Sequence, residues 1–175
     1  DAYTAGGRAG KRPDRAVTVY CNIIRRLFPD SKIIIGGLEA SLRRFAHYDY
    51  WSDSVMPSVL FDAKADILVY GMGENQTREI AHALNENRSC EDIKGICFSV
   101  KTSEYTPAPV VDLPSFERVK ESKKDYAIAA RKELEQNDAY SSRRCIQRHG
   151  DNILICNPPM PPLETAELDA VYDLP

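Results

Sequence analysis

An α/β fold, in the form of a partial Rossmann-like parallel sheet with flanking helices, is what three features of this sequence predict. A β-branched run, Lys32 to Ile35, ends at Gly36-Gly37 before a helical stretch. A second run, Asp66 to Tyr70, ends at Gly71-Met72-Gly73-Glu74 before another helical stretch, about 35 residues further on. Strand, glycine turn and helix in alternation favour parallel strands joined by right-handed helical crossovers. The 175 residues hold material for one ordinary hydrophobic core.

The elements follow in order. Asp1 to Arg12 is rich in glycine and basic residues, has no apolar periodicity and does not open on methionine, so a longer parent chain is expected. From Asp14, placed to cap a helix start, Ala16, Tyr20, Ile23, Ile24 and Leu27 recur at helical spacing until Pro29. After the first glycine pair, Leu38 to Phe45 reads as helix, and the stretch Glu39 to Asp53 as a helix followed by an aromatic loop. The second glycine turn opens a helix containing Ile80, Ala81 and Leu84. Ile96 to Val100 is a third strand, Thr106 to Pro114 a proline-punctuated connection, and Ser115 to Asn137 one long, charged surface helix. Ile153 to Cys156 reads as a last strand. The run Asn157-Pro158-Pro159-Met160-Pro161-Pro162 is extended, because proline fixes φ and lacks an amide donor. A short helix capped by Thr165 closes the chain, with Leu168, Val171 and Tyr172 on one side.

Composition narrows the classes of function. A net charge of −3 supplies no field to gather nucleic acid or an anionic membrane. No apolar run approaches the twenty or so residues of a membrane span, and the basic start lacks a signal-peptide core, so a cytoplasmic protein is expected. Five cysteines at wide, irregular spacing fit neither a disulfide framework nor a close-spaced metal motif, and read mostly as reduced, buried thiols.

Two stretches can carry chemistry. At the glycine turns, Gly36, Gly37, Gly71 and Gly73 let backbone approach a ligand, and the following helix N-terminus, beginning at Glu74, favours an anion. Parallel strands would open both turns onto one crevice, although such turns also arise for steric reasons alone. Between them, Glu39, Arg43, Arg44, His47, Tyr48 and Trp51 form a dense polar and aromatic set. It suits either ligand contact, through ring stacking and guanidinium clamps, or an interdomain surface. Arg43 or Arg44 is expected to pair with a carboxylate there, Glu74 among the partners. His82 and His149 read as lone surface groups. No phosphate loop, nucleophile elbow or metalloprotease helix is present, and no residue is assigned a catalytic or metal-binding role.

Gly6 to Arg15, then Gly36-Gly37-Leu38-Glu39-Ala40-Ser41-Leu42-Arg43-Arg44-Phe45-Ala46-His47-Tyr48-Asp49-Tyr50-Trp51-Ser52-Asp53, closely resemble the N-terminal region of YgiQ-type radical S-adenosylmethionine proteins. Asp62 to Asp66, Val69 to Glu74 and Asn157-Pro158-Pro159 extend the resemblance over nearly the whole chain. The resemblance implies a longer enzyme in which a Cys-x-x-x-Cys-x-x-Cys motif holds a 4Fe–4S cluster that binds S-adenosylmethionine. That motif is absent here, so residues 1–156 are expected to be a Rossmann-like accessory domain, incomplete upstream. Residues 157–175 are expected to lead toward the enzyme's own core domain, which acts on an unknown small-molecule or macromolecular substrate. A similarity to cobalamin-binding domains also implies a cobalamin-like or nucleotide ligand at Gly36, Gly37, Gly71, Gly73 and Glu74, or a purely structural docking role.

Overall fold

The computed structural model describes residues 5–11 and 13–175, and of the basic N-terminal stretch residues 1–4 and Arg12 lie outside that description. The predicted first helix forms as α1 (Ala16–Leu27). Its N-cap is Arg15, with no side-chain cap bond, so Asp14 does not take the predicted place. A two-residue strand, β1 (Ile34–Ile35), runs into Gly36 and α2 (Gly37–Leu42).

The segment predicted as an aromatic loop is instead a hairpin, β2 (His47–Asp49) paired antiparallel to β3 (Ser54–Met56). A single helical turn, α3 (Val59–Asp62), precedes β4 (Ile67–Val69) and α4 (Glu74–Asn85). Then come β5 (Ile96–Lys101), β6 (Val111–Leu113), α5 (Phe116–Glu121), α6 (Lys123–Leu134), β7 (Cys145–His149), β8 (Asn152–Cys156) and α7 (Thr165–Tyr172).

The fold is α/β, with one six-stranded sheet of order β1-β4-β5-β8-β7-β6. Its strands are mixed in direction, not all parallel. The pairs β1/β4 and β6/β7 are parallel, whereas β4/β5, β5/β8 and β7/β8 are antiparallel. Only the β7/β8 pair has a local cause, the two-residue turn Gly150-Asp151, which can only connect antiparallel strands.

Side chains alternate across the sheet and divide the core in two. Ile35, Leu68, Tyr70, Cys97, Leu154 and Cys156 face one layer, which carries Cys21 of α1, Ala40 of α2 and Val119 and Ala129 from α5 and α6. Ile67, Val69, Ile96, Phe98, Ile153 and Ile155 face the other, against Ile80 of α4.

The charged stretch predicted as one helix is two, because Ser122 adopts extended backbone (φ −130°, ψ 114°) and its hydroxyl caps α6 by accepting from the Asp125 amide. The last helix is capped by Glu164, whose capping box with Glu167 displaces the predicted Thr165.

Candidate functional site

The two glycine turns are neighbours because β1 and β4 are parallel, in the register Ile34 to Ile67 and Ile35 to Leu68. Both strands therefore end on the same side of the sheet. Gly37 (φ +84°) and Gly71 (φ +74°) occupy the left-handed region, where a side chain would be strained, and a Cβ at either would meet open space. The Gly71 amide donates to Ser41 Oγ at 3.0 Å, which ties the second turn to α2. Gly73 lies against the Val69 side chain, and Gly36 against the Val69 carbonyl. Glu74, the first residue of α4, has one carboxylate oxygen that is buried without a hydrogen-bond partner.

The polar and aromatic set divides in two. Asp49, 2% exposed, is the centre of the first group. Its Oδ2 accepts from Arg15 Nη2 at 2.7 Å, Ser52 Oγ at 2.6 Å and the Ser52 amide at 3.2 Å, while Arg43 Nη2 lies 3.5 Å from Oδ1. Arg43 also pairs with Glu39 at 2.9 Å, one helical turn before it. The Ser52 hydroxyl first, and the two guanidiniums with it, hold the Asp49 carboxyl below the usual range. These residues, with Gly10, Pro13 and Trp51, line a cleft of about 810 Å³. Trp51 stands at the hairpin tip, 79% exposed, its ring 4.9 Å from that of Tyr50.

The second group points elsewhere. Arg44, with a side chain 11% exposed, pairs with Glu133 of α6 at 2.7 Å and lies over the Tyr70 ring at 4.9 Å. The predicted partner, Glu74, pairs with neither arginine: Asp49 and Glu39 take Arg43, and Glu133 takes Arg44. His47 Nδ1 lies 3.2 Å from the Phe45 carbonyl, and burial pushes its pKa down. Tyr48 donates to Asp53 at 2.7 Å. His82 is exposed, but His149, read from sequence as a surface group, is 8% exposed between the rings of Phe61 and Phe116.

Sequence reasoning missed Arg15, 34 residues from its partner Asp49, and Glu133, which lies in a helix that reads as wholly solvated. Nothing local marks either. It also missed the convergence of three cysteines: Cys97, Cys156 and Cys145 stand side by side on β5, β8 and β7, all buried. Burial pushes the Cys145 thiol up to about 12 and the Cys97 thiol well above its ordinary value.

Compared with known proteins, the whole of this chain, residues 1–175, matches the family described as radical SAM N-terminal. The chain belongs to that family. Family relatives named as UPF0313 proteins align over the full chain. One from Geobacter sulfurreducens is 47% identical and one from Thermotoga maritima 47% identical. Another, from Clostridium botulinum strain Okra, is 44% identical. The chain spans 29%, 31% and 28% of these three, so family members extend well beyond the region described here. No solved structure matches. No helix among the described residues is long and apolar enough to cross a membrane.

Proposed function

We propose that these residues form the N-terminal accessory domain of a radical S-adenosylmethionine enzyme of the YgiQ type, with its 4Fe–4S cluster and substrate chemistry outside the 175 residues. The observation that carries this reading is the full-length family match combined with relatives more than three times as long.

The three thiols in register lie inside the hydrophobic core, where burial raises Cys97 and Cys145 while hydrogen bonds from Cys97 and Tyr70 lower Cys156. Among the described residues no group of three His, Cys, Asp or Glu side chains is arranged to hold a metal ion. These residues do not fit the cluster, and no step of its chemistry is assigned to them. On this reading residues 1–156 are the accessory domain and residues 157–175 lead toward the core, in a cytoplasmic enzyme whose substrate is open.

Anaerobic reconstitution with iron and sulfide tests the proposal. The longer polypeptide is expected to develop a four-iron cluster spectrum and the 175-residue chain none. A stable four-iron cluster on the 175-residue chain overturns it.

A second reading, a site for a cobalamin-like or nucleotide ligand at the glycine turns, is favoured by the unpartnered Glu74 oxygen beside two left-handed glycines. A buried acceptor of that kind suits a ligand hydroxyl or amine donor. Titration of the chain with cobalamins and adenine nucleotides is expected to show saturable binding that is lost on Gly37→Val. Binding that survives this substitution rules out the crevice.

A further inference from the structure

Cys97, Cys156 and Cys145 stand opposite one another on three adjoining strands, but the backbone does not treat the two neighbours of Cys156 alike. At one end of the β5/β8 ladder the Asn157 amide donates to the Ile96 carbonyl, and at the other the Thr102 amide donates to the Asp151 carbonyl. Antiparallel pairs alternate between those that exchange backbone hydrogen bonds and those that do not. Counted from either end, Cys97/Cys156 is a pair that exchanges none, the kind whose side chains stand closer. The Cys156 amide and carbonyl then point toward β7, so Cys145/Cys156 is a hydrogen-bonded pair with its side chains further apart.

A disulfide needs Cβ atoms roughly 3.5–4.5 Å apart, which selects the closer pair. The two thiols of that pair are already in hydrogen-bond contact. Cys145 is turned another way, its Sγ donating to the Arg143 carbonyl at 3.9 Å.

Cys156 also borders a way in. A cavity of about 10 Å³, room for one water-sized molecule, is lined by Cys156, Arg44 and Asn157 and, toward the surface, by Gln136 and the exposed Arg143. The Arg44 Nε–H is buried there without a hydrogen-bond partner. A guanidinium with a free donor favours an anion beside it. Against its own burial, a hydrogen bond from Cys97, the Arg44 charge and a hydrogen bond from Tyr70 hold the Cys156 thiol below its ordinary pKa. Cys97 does not line the cavity, and burial keeps it protonated. One sulfur is thus placed to attack and its neighbour to resolve.

We propose that Cys156 and Cys97 form a redox site for small peroxides, with Cys156 the attacking thiol and Cys97 the resolving one. The Cys156 thiolate bonds to one oxygen of hydrogen peroxide, the O–O bond breaks, and hydroxide leaves with the proton that Cys156 gave up, as water. The Cys97 sulfur then attacks the sulfenic acid on Cys156. An S–S bond forms, the S–O bond breaks, and the departing hydroxide takes the Cys97 proton. The two thiols lose two electrons and two protons, and the peroxide is reduced to two waters. A dithiol reductant reverses the bond. This chemistry is independent of where the iron–sulfur cluster lies, so the proposal and the accessory-domain reading fail separately.

The test is peptide mapping of the longer polypeptide, treated with hydrogen peroxide and then unfolded in an alkylating agent. Trypsin cuts after Lys94, Lys101, Arg144 and Arg148, which leaves Cys97, Cys145 and Cys156 on three separate peptides. The expected product links residues 95–101 to the peptide that begins at His149, and dithiothreitol releases it. Cys145→Ser is expected to form the same link, and Cys97→Ser to stop at a sulfenic acid on Cys156 that dimedone traps. Free thiols at both Cys97 and Cys156 after treatment overturn the proposal. A link from Cys145 to Cys156 also overturns it, as does Cys156 oxidised beyond the sulfenic acid beside an alkylated Cys97.

Discussion

At the scale of single residues, two buried titratable groups, one held charged and one held neutral, both make the fold less stable as pH falls. Asp49 is held ionised by Ser52, Arg15 and Arg43, so its folded pKa lies below its unfolded one. Its contribution is present above the unfolded pKa and is lost as pH falls through the folded value. Asp49→Asn is therefore expected to lower Tm near neutrality and to cost progressively less in acid, until the two proteins melt together. Thermal melts of both proteins from pH 7 downward check this, and a pH-independent gap between them excludes it.

His149 is the reverse case of a base kept neutral. Burial pushes its pKa down to about 4, and its Nε2–H donates to Gln147 Oε1, which also accepts from the Ala46 amide. Between pH 6.5 and 4 the unfolded chain takes up a proton at this residue and the folded one does not, so stability falls as pH falls. The loss approaches about 3 kcal/mol across that window. His149→Phe keeps a ring between Phe61 and Phe116 and removes the titration. Urea midpoints at pH 4.5 and pH 7 are expected to lie closer together in the variant than in the parent.

At the scale of elements, the interruption between α5 and α6 depends on one hydroxyl. Ser122→Ala deletes the bond to the Asp125 amide and is expected to cost about 1 kcal/mol, read as a shifted denaturant midpoint with an unchanged slope. The elements legible in the sequence were those whose apolar residues keep a period. Helices α1 and α4 and strands β4, β5 and β8 fall where the pattern puts them, within a residue or two. The missed strands have physical reasons. In β7 the inward residues include Gln147 and His149, both buried, so polar side chains break the apolar alternation. Strand β6 is three residues between prolines, which an edge strand tolerates and a central one does not. The hairpin β2/β3 carries Tyr50 and Trp51, 67% and 79% exposed, at its tip, and its two three-residue strands are too short to show a period in the sequence.

At the scale of the molecule, Arg44 joins the segment after α2 to α6 across 89 residues of sequence through Glu133. Glu133→Gln leaves the mostly buried guanidinium without its counter-charge and is expected to cost about 2–3 kcal/mol in a chemical-denaturation measurement. The double variant Arg44→Met, Glu133→Leu is expected to cost less than the two single changes added, because it leaves no buried charge unpaired. Additive losses exclude this coupling.

The sequence by itself determined the α/β class, the position of both glycine turns and, through long strings of residues, the family. Each of these is written in neighbouring positions: a β-branched run, a glycine that permits positive φ, a helical period. The tertiary structure alone decided that the sheet is mixed, that Arg15 and Arg43 meet at Asp49 while Arg44 turns to Glu133, and that α1 buries Cys21 and leaves Tyr20, Ile24 and Leu27 exposed. Those outcomes depend on which strands pair and in which direction. Pairing is settled by the summed burial of both sheet faces, and no local pattern encodes it.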